Sequence, residues 1–163
     1  DHVGNAAYLR TKYGAPIAIH PADVGMVERG DMSWNRNVKP DYIPPLFQLI
    51  MWLVPLLGSS NQFEIFSPDV TLDEDADLAD YGFAATVLCL PGHSKGSIGL
   101  LTTDGVLFCG DLLSHLFGKP RCLLIDNRTE WSASIAKIKG LAIRTVYPGH
   151  GKPFPIAQAP SGR

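Results

Sequence analysis

Cysteine is scarce in this 163-residue sequence: there are three, Cys89, Cys109 and Cys122, and none lies in a C-x-x-C pair. An odd, scattered set argues against a disulfide scaffold and points to a reducing, cytoplasmic setting. Cys89 and Cys109 sit inside apolar runs and read as ordinary core residues. Positive charge is thin as well. The 14 basic and 16 acidic residues leave a formal net charge of −2, and no Lys/Arg cluster could track a phosphate backbone, so nucleic acid is not an expected partner. No apolar run reaches the roughly 20 residues of a bilayer-spanning helix; Leu46 to Leu57 is the most apolar stretch and Pro55 interrupts it. A basic-then-apolar leader, a glycine-rich phosphate loop and a Ser/His/Asp arrangement are also missing.

What is present suits one folded domain, residues 1–163, with 45% hydrophobic and 18% charged residues. Asn5 to Tyr13 reads as a helix stopped by Gly14, Ala15 to His20 as a buried strand, and Pro21 to Arg29 as a helix opened by proline and ended by Gly30. From about 31 to 61 the pattern breaks into a proline-rich, then strongly apolar segment, expected to be a helical insertion covering the site or meeting a partner. Trp34, Tyr42, Phe47 and Trp52 in it are candidate pocket residues, although plain packing is the better expectation for each.

Strand-like runs follow at Phe63–Phe66, Asp69–Leu72, Asp77–Ala79, Ala84–Leu90, Ser97–Thr102 and Val106–Cys109, the last two joined by an Asp-Gly turn. Leu123–Ile125 reads as a further short strand. Thr129 to Gly140 reads as a helix with Thr129 as N-cap and Ile135, Ile138 and Leu141 on one face, and Ala142 to Tyr147 as the closing strand. Strands, a helix and a final strand give a mixed α/β class.

The chemistry concentrates in Asp1-His2, His93 in PGHSKGS, Asp111 in CGDLL and His150 in YPGHGKP. Singly, each is a common loop residue. Together, the last three directly follow hydrophobic strands, so neighbouring strands ending at one sheet edge would gather them. Imidazole and carboxylate are the ligand set of zinc, manganese and non-haem iron. His20 and His115 read as structural or surface residues, with His115 close enough to Asp111 in sequence to face the cleft, and Lys95 as decoration of its turn.

The order Asp-His, H-S-K-G-S, G-D and P-G-H-G resembles the metallo-β-lactamase superfamily, whose first motif is H-x-H-x-D-H. The resemblance covers nearly the whole chain and implies an αββα sandwich, here N-terminally truncated, since the two histidines before Asp1 and the opening strands are absent. It implies that Asp1, His2 and His150 form one metal site, that His93 belongs to the other, and that Asp111 bridges both. Asp1 and Asp111 would be the catalytic residues, working with one or two ions of zinc, or of manganese or iron. The activity implied is hydrolysis of a small ester-like substrate by a metal-bound hydroxide, on a glyoxalase-II-like thioester, a lactone or a related acyl compound. Two alternatives stay open: an inactive metal-binding remnant, and an iron-dependent enzyme of persulfide-dioxygenase type. An uncovered sheet would favour a homodimer.

Overall fold

The computed structural model describes residues 2–37, 39–53, 63–116 and 118–162. Asp1, Val54, Pro55, Leu56 and Leu57, which carry parts of the expectations above, lie outside the described residues.

Helix α1, Ala6–Tyr13, ends at Gly14, whose φ of 65° is the left-handed stop that the sequence indicates. Strand β1, Ala18–Ile19, is shorter than the apolar run suggests. Pro21–Asp23 forms a single 3-10 turn before helix α2, Val24–Arg29. Helix α3, Pro45–Leu53, lies in the expected insertion. Its Leu46, Leu49, Ile50, Trp52 and Leu53 are exposed, so this helix is not packed into the core.

Strand β2, Val70–Thr71, pairs in parallel with β1. Strands β3, Ala85–Cys89, β4, Ile98–Thr102, and β5, Val106–Phe108, form an antiparallel meander. Two-residue strand β6, Ser114–His115, precedes helix α4, Arg128–Lys139. Strand β7, Thr145–Tyr147, then pairs in parallel with β5. Strand β8, His150–Gly151, pairs with β6, and β9, Phe154–Pro155, closes the main sheet in the order β3-β4-β5-β7-β9.

The layers follow from strand alternation. Leu88, Leu107 and Val146 face α4 and pack with its Trp131, Ile135 and Ile138 in the principal core. Val87, Ile98 and Leu100 point the other way, onto Val70, Leu72 and Leu78 beside the two-stranded sheet. Beyond that sheet, Ile17 and Ile19 meet Ala7 of α1 and Val27 of α2. The sequence of layers is therefore α4, five-stranded sheet, two-stranded sheet, α1 with α2, an αββα sandwich whose second sheet is small. Because that sheet covers only part of its neighbour, an apolar cleft of about 580 Å³ remains between them, lined by Ala18, Val70, Leu72, Ile98 and Leu100 among others.

Several expectations need correction. Phe63–Phe66 is irregular; Phe66 is buried against Val27 through one backbone bond, without a ladder. Asp77–Ala79 supplies one bridge, Asp77 to Thr86, and then a 3-10 turn, Ala79–Tyr81. Leu123–Ile125 likewise gives one bridge, Ile125 to Tyr42. The N-cap of α4 is Asn127, not Thr129: its side chain accepts from Glu130 N–H at 3.1 Å. Leu141 is exposed, and the buried face of α4 is Trp131, Ser134, Ile135 and Ile138.

Candidate metal centre

Parallel neighbours β5 and β7 end at the same edge of the sheet. The chain leaves β5 into a 3-10 turn, Gly110–Leu112, that carries Asp111, and leaves β7 through Pro148-Gly149 to His150. Gly149 N–H donates to the Gly110 carbonyl at 2.8 Å, so the two turns are stitched together. Their approach is too close for a side chain: a Cβ on Gly149 would lie 3.0 Å from the Gly110 carbonyl carbon and against Asp111 Oδ1. His115, whose neighbour Ser114 pairs with His150, sets its two ring nitrogens 3.0 Å from the Lys152 and Gly118 carbonyls. It is a structural anchor for the His150 strand.

At this edge three side chains converge. His2 Nε2 lies 3.3 Å from Asp111 Oδ2 and 3.3 Å from His150 Nε2, and His150 Nε2 lies 3.5 Å from Asp111 Oδ1. Ligands at about 2.0–2.1 Å from a tetrahedral ion stand about 3.3–3.4 Å apart, so these spacings fit a zinc-sized cation. Asp111 Oδ1 is buried and has no hydrogen-bond partner among the described residues. A buried carboxylate oxygen without a donor is costly, and a cation removes that cost. The three residues form one metal-capable group.

His93 stands slightly apart, with Nε2 3.7 Å from Asp111 Oδ2 and outside that group. Its Nδ1 lies 3.0 Å from the Leu124 carbonyl, which requires the proton on Nδ1 and leaves Nε2 as the lone pair facing Asp111. Burial pushes the His93 pKa down, Asp111 opposes this, and Arg36 adds to it. The net direction keeps the ring neutral, as ligation needs. Asp111 thus presents one oxygen towards His150 and the other towards both His2 and His93.

The loop bearing His93 is held by residues that carry no motif of their own. Asp23 accepts from Ser94 Oγ at 2.7 Å and from Gly96 N–H at 3.0 Å, and Gly96 lies against its carboxylate with no room for a Cβ. Ser97 Oγ accepts from Ser94 N–H at 2.9 Å. Lys95 reaches Asn35 Oδ1 at 2.9 Å, tying the turn to the segment after α2. Asp23 lies in the 3-10 turn Pro21–Asp23, in a stretch that the sequence reading takes only as the start of a helix.

A second cluster, His20, Asp73 and Cys89, also has metal-capable atoms close together. Its chemistry fits an ion poorly. His20 Nδ1 accepts from Ala22 N–H at 3.1 Å, so the neutral ring carries its proton on Nε2, the atom turned to Asp73. Burial, with Glu74 and Asp73 adding, pushes the Cys89 thiol up to about 11. His20 therefore caps its 3-10 turn, as expected of a structural residue. The aromatic candidates have mundane surroundings too: Arg29 stacks on Trp34 at 3.7 Å, Tyr42 bridges to Ile125, and Trp52 is exposed.

The sequence pattern of the metallo-beta-lactamase superfamily matches residues 1–150. The chain belongs to this superfamily. It is 29% identical over 115 residues to the hydroxyacylglutathione hydrolase GloC of Haemophilus influenzae, a match covering 69% of this chain and 45% of that one. The chain thus spans less than half the length of that curated relative. Among solved structures, the B3 metallo-beta-lactamase BLEG-1 superposes with a TM-score of 0.68 at 27% identity, covering 97% of this chain and 68% of that one. A second solved structure, TTHA1623 in a di-iron-bound form, gives a TM-score of 0.61 at 26% identity, with the same coverages of 97% and 68%. An archaeal superfamily protein from Sulfolobus tokodaii shares the fold at 17% identity and a TM-score of 0.69, covering 98% of this chain and 60% of that chain. No helix among the described residues is long and apolar enough to cross a membrane.

Proposed function

We propose that the protein is a metal-dependent hydrolase of small ester-like acyl substrates, thioesters foremost, with zinc as its metal. The observation that carries this is the convergence of His2, Asp111 and His150 at 3.3–3.5 Å, with His93 3.7 Å from the Asp111 oxygen that His2 also faces. Similarity to a hydroxyacylglutathione hydrolase supports the thioester class. The odd, scattered set of three cysteines in the sequence is the ground for a reducing, cytoplasmic setting in this reading.

In this reading His2, Asp111 and His150 hold one ion, His93 contributes to a second, and Asp1 completes the first set. When bound by these residues, the ion would supply a water of lowered pKa and polarise the acyl carbonyl. The chain's own residues do the rest. Asp111 fixes the centre through both oxygens, and the Leu124 carbonyl locks the His93 tautomer. Asp1 would accept the proton from the attacking water as the water oxygen forms the new bond to the acyl carbon, and would return it to the sulfur or oxygen of the leaving group as the bond between that atom and the acyl carbon breaks.

The test is a panel of thioesters, lactones and simple esters, assayed as isolated, after chelation, and after return of zinc. Thioester hydrolysis that is lost on chelation and regained with zinc is the expected result. A protein that binds metal yet cleaves nothing in the panel overturns the reading. The competing reading is an iron-dependent oxidation of a thiol-derived substrate; the similar structure in a di-iron-bound form bears on the metal of that protein and not on the reaction. That reading requires iron in the purified protein and oxygen uptake during turnover.

A further inference from the structure

Arg36, in the segment between α2 and α3, brings a guanidinium to the metal centre. Its Nη2 lies 3.4 Å from His93 Nε2. Because His93 Nδ1 faces the Leu124 carbonyl, Nε2 is the lone pair of the ring, and arginine, which has no acceptor, can only donate to it. This is the same lone pair that an ion on the His93 side would need.

The arginine is delivered there by a built support. Asn37 N–H donates to both oxygens of the buried Asp126 carboxylate at 3.1 and 3.2 Å, and Asn37 Nδ2 donates to the Asp126 carbonyl at 2.7 Å. On the other side, Asn35 Nδ2 donates to the Ala22 carbonyl at 3.1 Å. The backbone on either side of Arg36 is therefore tied down. The guanidinium itself is less well held, since its Nε is buried with no hydrogen-bond partner among the described residues. A side chain left partly unsatisfied gives up little when it moves.

The geometry assigns Arg36 the control of ion number at this centre. Its guanidinium plugs the His93 position, so that the His2/Asp111/His150 position fills first and His93 joins only when Arg36 withdraws. Two cations cannot share one lone pair, and their repulsion at this range in a partly buried site is substantial. The assignment rests on the metal-centre reading above and adds to it an ordering of the two positions.

Cobalt titration of the metal-free protein, followed by visible absorption and calorimetry, tests this without reference to turnover. The wild type should take one equivalent tightly and a second at least tenfold more weakly. Arg36→Gln, which removes the charge at similar size, should narrow that gap at least tenfold while leaving the first event within about twofold. Arg36→Lys keeps the charge and should keep most of the gap, which separates charge from disturbed folding. Equal gaps in wild type and Arg36→Gln, or two equally tight ions in the wild type, overturn the assignment of Arg36 alone. If cobalt binds neither protein, the metal-centre reading falls and takes this assignment with it.

Discussion

Asp111 lies close to every described imidazole of the centre, 3.3 Å from His2, 3.5 Å from His150 and 3.7 Å from His93. Asp111→Ala should therefore abolish most metal uptake, whereas His20→Ala should leave it near wild type, as read by elemental analysis after equilibrium dialysis against zinc. Equal losses would remove Asp111 from its bridging place. The glycine beside it is nearly as critical. Gly149→Ala would push a methyl into Asp111 Oδ1 and the Gly110 backbone, and should weaken metal binding at least tenfold in a protein that still folds.

Cys89 gives a pH-dependent prediction at the same scale. Burial and the neighbouring Glu74 and Asp73 raise its pKa from the usual 9.0 to about 11. A raised acid favours its neutral form in the fold, so this contribution to stability is complete below pH 9.0 and is lost as the pH rises through about 11. Iodoacetamide at pH 8.5 should modify Cys89 much more slowly in the folded protein than in urea. Equal rates would show that the thiol is not held in this environment.

Among the elements, α4 is the one on which the main core depends, with Ile135 and Ile138 fully buried against the sheet. Its start is fixed by Asn127, and Asn127→Ala should cost about 1 kcal/mol, measured by chemical denaturation. Thr129→Ala, at the position that sequence pattern alone favours as the cap, should cost much less. The error of two residues arises because Asn and Thr are both good caps and only the backbone decides between them.

Much of the site was legible in the sequence because His93, Asp111 and His150 each follow a run of strand-forming apolar residues, and parallel pairing of β5 with β7 then delivers two of them to one edge. What escaped has a different physical character. The β6–β8 ladder is two residues long, too short for any alternation to show. Asp23 and Arg36 act on the His93 loop across 71 and 57 residues respectively, through contacts that no local period encodes. Phe63–Phe66 has the composition of a strand but finds no ladder, since its burial comes from packing on Val27.

At the scale of the whole molecule, the αββα order is asymmetric. Among the described residues, fifteen buried ones from the five-stranded sheet, α4 and the loops around them form the principal core, while three, Ala7, Val27 and Phe66, anchor the layer of α1 and α2. Opening of the molecule should begin in the smaller layer. Hydrogen exchange should therefore find the amides of α1 and α2 less protected than those of β3, β4 and α4, and the reverse order would contradict the core assignment.

His2 and His150 are 148 positions apart in the sequence and 3.3 Å apart in space. An ion shared between them would act as a removable clasp on a very large loop. A permanent cross-link closing a loop of that size would restrict the open chain by about 5 kcal/mol on a simple chain-entropy view. Metal supply would then set how firmly the α1–α2 layer stays shut, and the lifetime of the protein against proteases would follow the metal available around it.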